Sequence, residues 1–156
     1  MNSPWLKSKE GDLIIGKGGL TAVATMVERK SRLTLLIKVQ NRTTREVVAC
    51  VARRLRVTGA VVKSITWDQG KELAHHAELA RLTGAPVFFA DAHSPWQRGS
   101  NENSNGVTRR WHPKGTSLDV HPATLRANQQ RLNNRPMPVL SGATPQETYD
   151  AEINMR

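Results

Sequence analysis

The hydrophobic period of this chain changes twice within its first 67 residues, and that alternation limits the folds open to it. Leu33, Leu35, Ile37 and Val39 alternate with Thr34 and Lys38, which is the two-residue period of a half-buried strand. From Thr43 to about Arg56 the period lengthens: Val47, Val48, Val51 and Leu55 form one stripe, and Arg45, Arg53, Arg54 and Arg56 lie largely off it. That is an amphipathic helix with a basic outer side. Gly59 ends it, and Val61 to Trp67 returns to a strand. A right-handed crossover would set this strand parallel to the first one of the chain.

The segments on either side complete the pattern. Gly11 to Gly16 is a short buried strand with Asp12 at its start, while the polar Met1 to Glu10 is expected to be irregular. Leu20 to Val27 gives a second strand, and Glu28-Arg29-Lys30-Ser31 turns it into the third, an antiparallel meander. Gly16-Lys17-Gly18-Gly19 is not a phosphate loop, because it lacks Walker spacing and leads into a strand. After Asp68-Gln69-Gly70, a helix over Lys71 to Leu82 is expected to bury Leu73, Ala77 and Ala80 and to close at Gly84. Pro86 to Ala90 is a fifth strand and Pro122 to Asn133 a helix. Thr144-Pro145-Gln146-Glu147 combines a capping box with proline at the first helical position, and so begins a last helix. The predicted fold is α/β, a mixed five-stranded sheet with flanking helices, in a single domain over residues 1–156.

Charge points to a partner. With 23 Lys+Arg against 13 Asp+Glu the chain carries +10, which favours a polyanion. From Asn103 to Gln146 six basic residues (Arg109, Arg110, Lys114, Arg126, Arg131 and Arg135) face the single acid Asp119, so the C-terminal third is the expected basic face. Cys50 is the only cysteine, which excludes an internal disulfide and a zinc cluster and suits a reducing cytosol. No apolar run approaches the roughly 20 residues of a membrane span, so a soluble cytoplasmic protein is expected.

Within Ala92 to Lys114 one acid, Glu102, stands among amides, small residues and arginines. Ser100 can cap a helix running to about Trp111, with Glu102 in its first turn. Seven residues is close to two turns, so Arg109 would share a face with Glu102, with Asn105 between them. The fold would bring Asp12 on the first strand, Asp68 at the end of its parallel neighbour and Glu102 together at the strand ends, where ligands collect in open α/β sheets. Three carboxylates suit a hard cation such as Mg²⁺ or Mn²⁺. Such sites commonly hold two ions about 3.5 to 4 Å apart, clamping the attacking and leaving oxygens of a phosphoryl displacement.

The chain resembles the catalytic core of the insertion-sequence-30 family of bacterial transposases, in the retroviral-integrase-like superfamily with its ribonuclease-H-like fold. The resemblance is carried by 10–18, Val27-Glu28-Arg29-Lys30-Ser31-Arg32, Thr66-Trp67-Asp68-Gln69-Gly70-Lys71-Glu72-Leu73-Ala74, 93–103, Pro113-Lys114-Gly115-Thr116 and Leu132-Asn133-Asn134-Arg135-Pro136. The family pattern is two aspartates and a glutamate with 33 residues between the last two acids, the number separating Asp68 from Glu102 here. The resemblance implies that Asp12, Asp68 and Glu102 are the catalytic, metal-binding triad. It also implies that Arg109 contacts a nucleic-acid end, with Gln97 and Arg98 in the loop before it. Lys71, Trp96, Asn105 and Arg110 join the DNA-contacting candidates. Full-length relatives carry an N-terminal helix-turn-helix region that selects element ends; nothing before Trp5 could form one, so site selection is expected to lie outside this chain. Met137 to Ala143 departs from the family's usual sequence.

Other side chains have competing readings. Glu72 is either a supporting group behind Asp68 or a plain helix acid. Asp91 lies in a loop without a matching partner, and adjacent His75 and His76 face different ways on a helix. His93 could orient a site carboxylate. Trp67 is expected in the core, and Trp96 either packs or stacks on a base. The resulting expectation is a metal-dependent polynucleotidyl transferase that cleaves element ends and joins the 3′-hydroxyl to target DNA, assembling as a homo-oligomer on DNA. A non-catalytic DNA-binding or assembly fragment and a nuclease of the same fold stay open as alternatives.

Overall fold

The computed structural model describes residues 6–15, 21–39, 44–57, 61–67, 76–89 and 120–154. Among these residues five strands, β1 (Leu6–Ile15), β2 (Ala22–Glu28), β3 (Thr34–Val39), β4 (Val61–Trp67) and β5 (Val87–Phe89), form one sheet in the order β3-β2-β1-β4-β5. β1, β2 and β3 pair antiparallel, whereas β4 lies parallel to both β1 and β5. The period-two and period-3.6 stretches therefore become the meander and the crossover that the sequence predicts. Among the described residues the helices are α1 (Thr44–Val57), α2 (His76–Thr83), α3 (Pro122–Asn133) and α4 (Pro145–Asn154), with a 3-10 turn at Pro138–Leu140.

The sheet is covered on both sides. Ala24, Met26, Leu35, Ile37 and Val39 share one core with Val47, Val48, Val51 and Leu55 of α1, with Leu79 of α2, and with Ile65 and Trp67 of β4. On β3 the intervening Leu36 joins Ile14, Val23, Leu125 and Leu132 in a second cluster under α3. Alternate residues of β3 thus serve opposite cores, and every residue of β2 is buried, as a strand covered on both faces requires.

Two expectations change. β1 begins at Leu6 rather than Gly11, because Leu6 to Gly11 pair with Val61 to Trp67 across a register shift at Lys7/Ser8. Polar residues that argued against a strand are accommodated after all: Glu10 is buried with Arg29 Nε 3.9 Å away, and buried Lys9 lies 5.8 Å from the Tyr149 ring centroid. On α2, Leu79 is the fully buried residue, while Ala77 is exposed and Ala80 half-buried. The methyl of alanine offers little area to bury, so the leucine fixes which face turns inward. Gly84 closes the helix as expected, with φ +71° and its N–H on Ala80 O at 2.9 Å.

Side chains close the turns and the sheet edge. The Glu28 carboxylate accepts from Ser31 N at 2.5 Å, from Lys30 N at 3.2 Å and from the Ser31 hydroxyl, which fixes the β2–β3 turn. β3 is an edge strand, and α3 covers it with amides. Asn133 Oδ1 accepts from Thr34 N and Asn133 Nδ2 donates to Thr34 O, both at 2.8 Å, and Gln129 Oε1 accepts from Leu36 N at 3.0 Å. Residues 129 and 133 share a helix face while 34 and 36 share a strand edge, so the helix substitutes for a sixth strand. At the start of α4, Thr144 Oγ1 accepts from Glu147 N at 3.1 Å and Pro145 occupies the first turn.

Candidate active site at the β1–β4 switch point

The chain builds outward from β1 in one direction through β2 and β3, then crosses through α1 to β4 on the other side of β1. The strand order therefore reverses between β1 and β4, and crevices for ligands form beyond the carboxyl ends of strands at such a point. β1 and β4 run parallel with Gly11 opposite Trp67. Asp12 follows Gly11 on β1, its backbone paired on the other side with buried Thr25 of β2. Asp68 follows Trp67 in the sequence.

The packing of Gly11 and Trp67 fixes this register. Trp67 is 1% exposed, and a Cβ added at Gly11 would lie 2.2 Å from Trp67 Cε3, 2.4 Å from Cζ3 and 2.8 Å from Met26 Sδ. Contacts that short are repulsive, so the backbone at position 11 must be glycine for the indole to lie across it. Met26 is also the β2 register partner of Gly11, so the large neighbours on both sides fill the space left by the missing side chain. Slipping β4 by one residue would remove the indole from its slot and turn every β4 side chain to the other face.

Of the predicted site residues, the structure places Asp12, on β1 at the register position opposite Thr25. Asp68, Lys71, Trp96, Gln97, Arg98, Glu102, Asn105, Arg109 and Arg110 lie outside the described residues. So do Glu72, His75, Asp91 and His93. Among the described residues no group of three or more His, Cys, Asp or Glu could hold a metal; two of the three predicted carboxylates are not among those residues. His76 is exposed, with its ring edge-on to Phe89 at 5.3 Å and 81°. Trp67 is a core residue, as predicted. Sequence reasoning missed the dependence of that core position on Gly11. A signal was available in the glycine directly before the strand acid, which has no role in a buried strand unless something packs closely on it.

On the remaining surface, Arg126 and Arg131 of α3 are exposed and Arg135 is half-buried. Cys50 is buried with its thiol 3.3 Å from Glu46 Oε1. Loss of water, the hydrogen bond to Glu46 and its negative charge push the thiol from an ordinary 9.0 up to about 11. It is a core group and not a nucleophile. No helix among the described residues is long and apolar enough to cross a membrane.

Comparison with known proteins agrees with this geometry. The Integrase core domain family matches residues 9–95, a range that includes Asp12 and Asp68 and ends before Glu102. The chain is 45% identical over 138 residues to the transposase for insertion sequence element IS1086 of Cupriavidus metallidurans, covering 87% of this chain and 41% of that protein. It is 43% identical over 148 residues to the transposase InsI for insertion sequence element IS30A of Escherichia coli, covering 92% and 38%. The chain thus spans about two fifths of the length of these relatives. The crystal structure of the catalytic core domain of BIV integrase superposes with a TM-score of 0.70 at 17% identity, over 96% of this chain and 97% of that one. A chain of the simian T-cell lymphotropic virus intasome in complex with PP2A regulatory subunit B56 gamma gives a TM-score of 0.70 at 13% identity, over 92% and 54%. The fold is therefore the ribonuclease-H-like α/β fold of integrase cores, as the sequence predicts.

Proposed function

The chain belongs to the integrase core domain family, and from that premise we propose that it is the catalytic core of a DNA transposase, a metal-dependent polynucleotidyl transferase formed as one domain by residues 1–156. The observation that carries the reading is the parallel Gly11–Trp67 pairing, which sets Asp12 and the residue before Asp68 on neighbouring strands at the point where strand order reverses. Asp12, Asp68 and Glu102 are the proposed donors for Mg²⁺ or Mn²⁺, since three carboxylates and no sulfur or imidazole suit a hard cation. Bound there, such ions stabilise the attacking and leaving oxygens of an in-line displacement.

The chain's own groups divide the remaining work. Arg109, Arg110 and Lys71 hold backbone phosphates, and Gln97, Arg98, Trp96 and Asn105 orient the DNA end beside Glu102. Hydrolysis at the element end frees a 3′-hydroxyl. That oxygen then forms a new bond to a target phosphorus as the target's own P–O bond breaks, and the target's 3′-oxygen leaves with a proton. Joining two ends takes two such sites, so the chain works as a homo-oligomer assembled on DNA.

A strand-transfer assay on a pre-cleaved DNA end tests the assignment. Glu102→Gln is expected to abolish joining with the fold retained. Mg²⁺ or Mn²⁺ is expected to raise the melting temperature of the unaltered chain modestly, because the carboxylates repel one another until a cation neutralises them. Full joining activity in Glu102→Gln would sink the triad.

A further inference from the structure

We propose that the outer face of α1 is a second DNA contact: Arg45, Arg53 and Arg56 form a rail that holds the phosphate backbone of duplex outside the segment being cut or joined. The proposal rests on the DNA-processing reading above. Arg45 and Arg56 are eleven residues apart, close to three helical turns, and Arg53 lies between them on the same side. All three are exposed, opposite the buried stripe of Val47, Val48, Val51 and Leu55. At about 1.5 Å per residue the rail is roughly 17 Å long, enough to meet several phosphates of one strand.

The nearby acids, Glu46 and Glu78, are two against three arginines and offset the rail only in part. Glu46 accepts from the Cys50 thiol, and Glu78 on α2 is held by Arg81 through contacts of 3.0 and 2.5 Å. None of the three arginines is salt-bridged to another described residue. The apolar side chains bordering them are Val57, exposed beside Arg56, and Leu82, which lines a groove with Arg45; no aromatic ring of the kind that anchors protein interfaces lines that groove. A second copy offering the same stripe would set arginine against arginine. Guanidinium groups in a row fit a phosphate backbone, which needs charge and bidentate donors and no pocket.

Placement supports the role. β3 and β4 both run in the direction of β1, and α1 connects the end of β3 to the start of β4, so it runs opposite to them. Arg45 therefore lies toward the strand ends that carry the proposed site, while Arg53 and Arg56 lead away from it. The rail would lengthen the footprint on DNA without touching the reacting phosphate.

The test is a titration of a scrambled duplex of about 30 base pairs at several salt concentrations, with the unaltered chain, the Arg45→Ala/Arg53→Ala/Arg56→Ala triple variant and the corresponding triple lysine variant. The alanine variant is expected to reduce the slope of log K against log salt by about 2 to 3, at roughly 0.9 per phosphate lost. Its melting temperature and its joining rate at saturating DNA should be unchanged, and the lysine variant should restore the slope. An unaltered slope in the alanine variant would overturn the rail and leave the catalytic reading standing. No salt-dependent duplex binding by the unaltered chain would overturn both. Competition by polyglutamate as effective as by DNA of equal charge would assign the face to an acidic protein and also overturn the proposal.

Discussion

The indole of Trp67 lies where the side chain of residue 11 would be, so that Gly11 and Trp67 act as one packing unit across the parallel β1–β4 pair. Each residue immediately precedes a candidate carboxylate, Asp12 or Asp68. The contact that fixes the sheet register therefore also sets the height of Asp12's position on β1 against the end of β4.

Gly11→Ala is accordingly expected to destabilise the fold by about 1–3 kcal/mol, the usual cost of forcing atoms into a filled core. In a Trp67→Leu background that cost should fall by at least half, because the clashing ring is gone. Urea unfolding of the four chains of this double-mutant cycle gives the coupling directly. Additive effects would show that the two residues do not share the space.

The Asn133 latch makes a second prediction. Asn133→Leu removes both hydrogen bonds that its amide makes to the buried Thr34 backbone, where losing the partner of a buried polar group costs about 1–3 kcal/mol. A loss of roughly 2–4 kcal/mol is expected, with faster amide exchange at Thr34 before other β3 amides. Gln129→Leu should expose Leu36 alone and cost less. Uniform exchange across the sheet in both variants would mean that α3 does not protect the β3 edge.

Much of this organisation is legible in the sequence because it is periodic. The alternation of Leu35, Ile37 and Val39 and the stripe Val47, Val48, Val51 and Leu55 state their burial outright, and the structure buries all seven. The start of β1 was not legible, because the burial of its polar residues Lys9 and Glu10 depends on distant partners, Tyr149 for Lys9 and Arg29 for Glu10. The role of Asn133 was hidden for the same reason: it sits in a polar word, and its partner Thr34 lies 99 residues away. At the site, the spacing of Asp68 and Glu102 and the words around them point to chemistry, while the glycine before Asp12 signals a close neighbour without naming Trp67 as that neighbour.

Alkaline stability should report the buried thiol. Cys50 is raised from 9.0 to about 11 in the folded chain. A raised pKa contributes stability that is fully present below the ordinary value and is lost as pH climbs through the folded one, so the loss falls between about pH 9 and 11. Tyr149, pushed up by burial and then by the charges of Glu28, Asp150 and Glu152, adds to the same limb from somewhat higher pH. Unfolding midpoints at pH 8 and 10.5 should therefore converge more in Cys50→Ala than in the unaltered chain. Parallel declines would show that the neutral thiol contributes nothing.

Arg109, proposed to meet a phosphate beside Glu102, should weaken DNA binding equally at all sequences when replaced by alanine and lower the salt slope by about one. If it instead salt-bridges a neighbouring acid, thermal stability falls and the slope stays where it was. Parallel melting curves and salt titrations separate the two.

The last prediction concerns sequence preference. Contacts to phosphate position a protein on DNA but carry no sequence information, and reading bases requires an element placed in a groove. A chain with a net charge of +10 and an arginine rail along α1 gains its affinity chiefly by releasing counterions. It is expected to bind duplex DNA at low salt and to lose most of that affinity by a few hundred millimolar. It should prefer its own element's terminal repeats by less than about tenfold, or about 1.4 kcal/mol, where specific recognition usually exceeds about a thousandfold. Competition between terminal-repeat and scrambled duplexes of equal length measures the ratio. A preference above about a hundredfold, some 2.7 kcal/mol, would mean that the core itself reads bases, with the Gln97 to Asn105 stretch as the first segment to substitute.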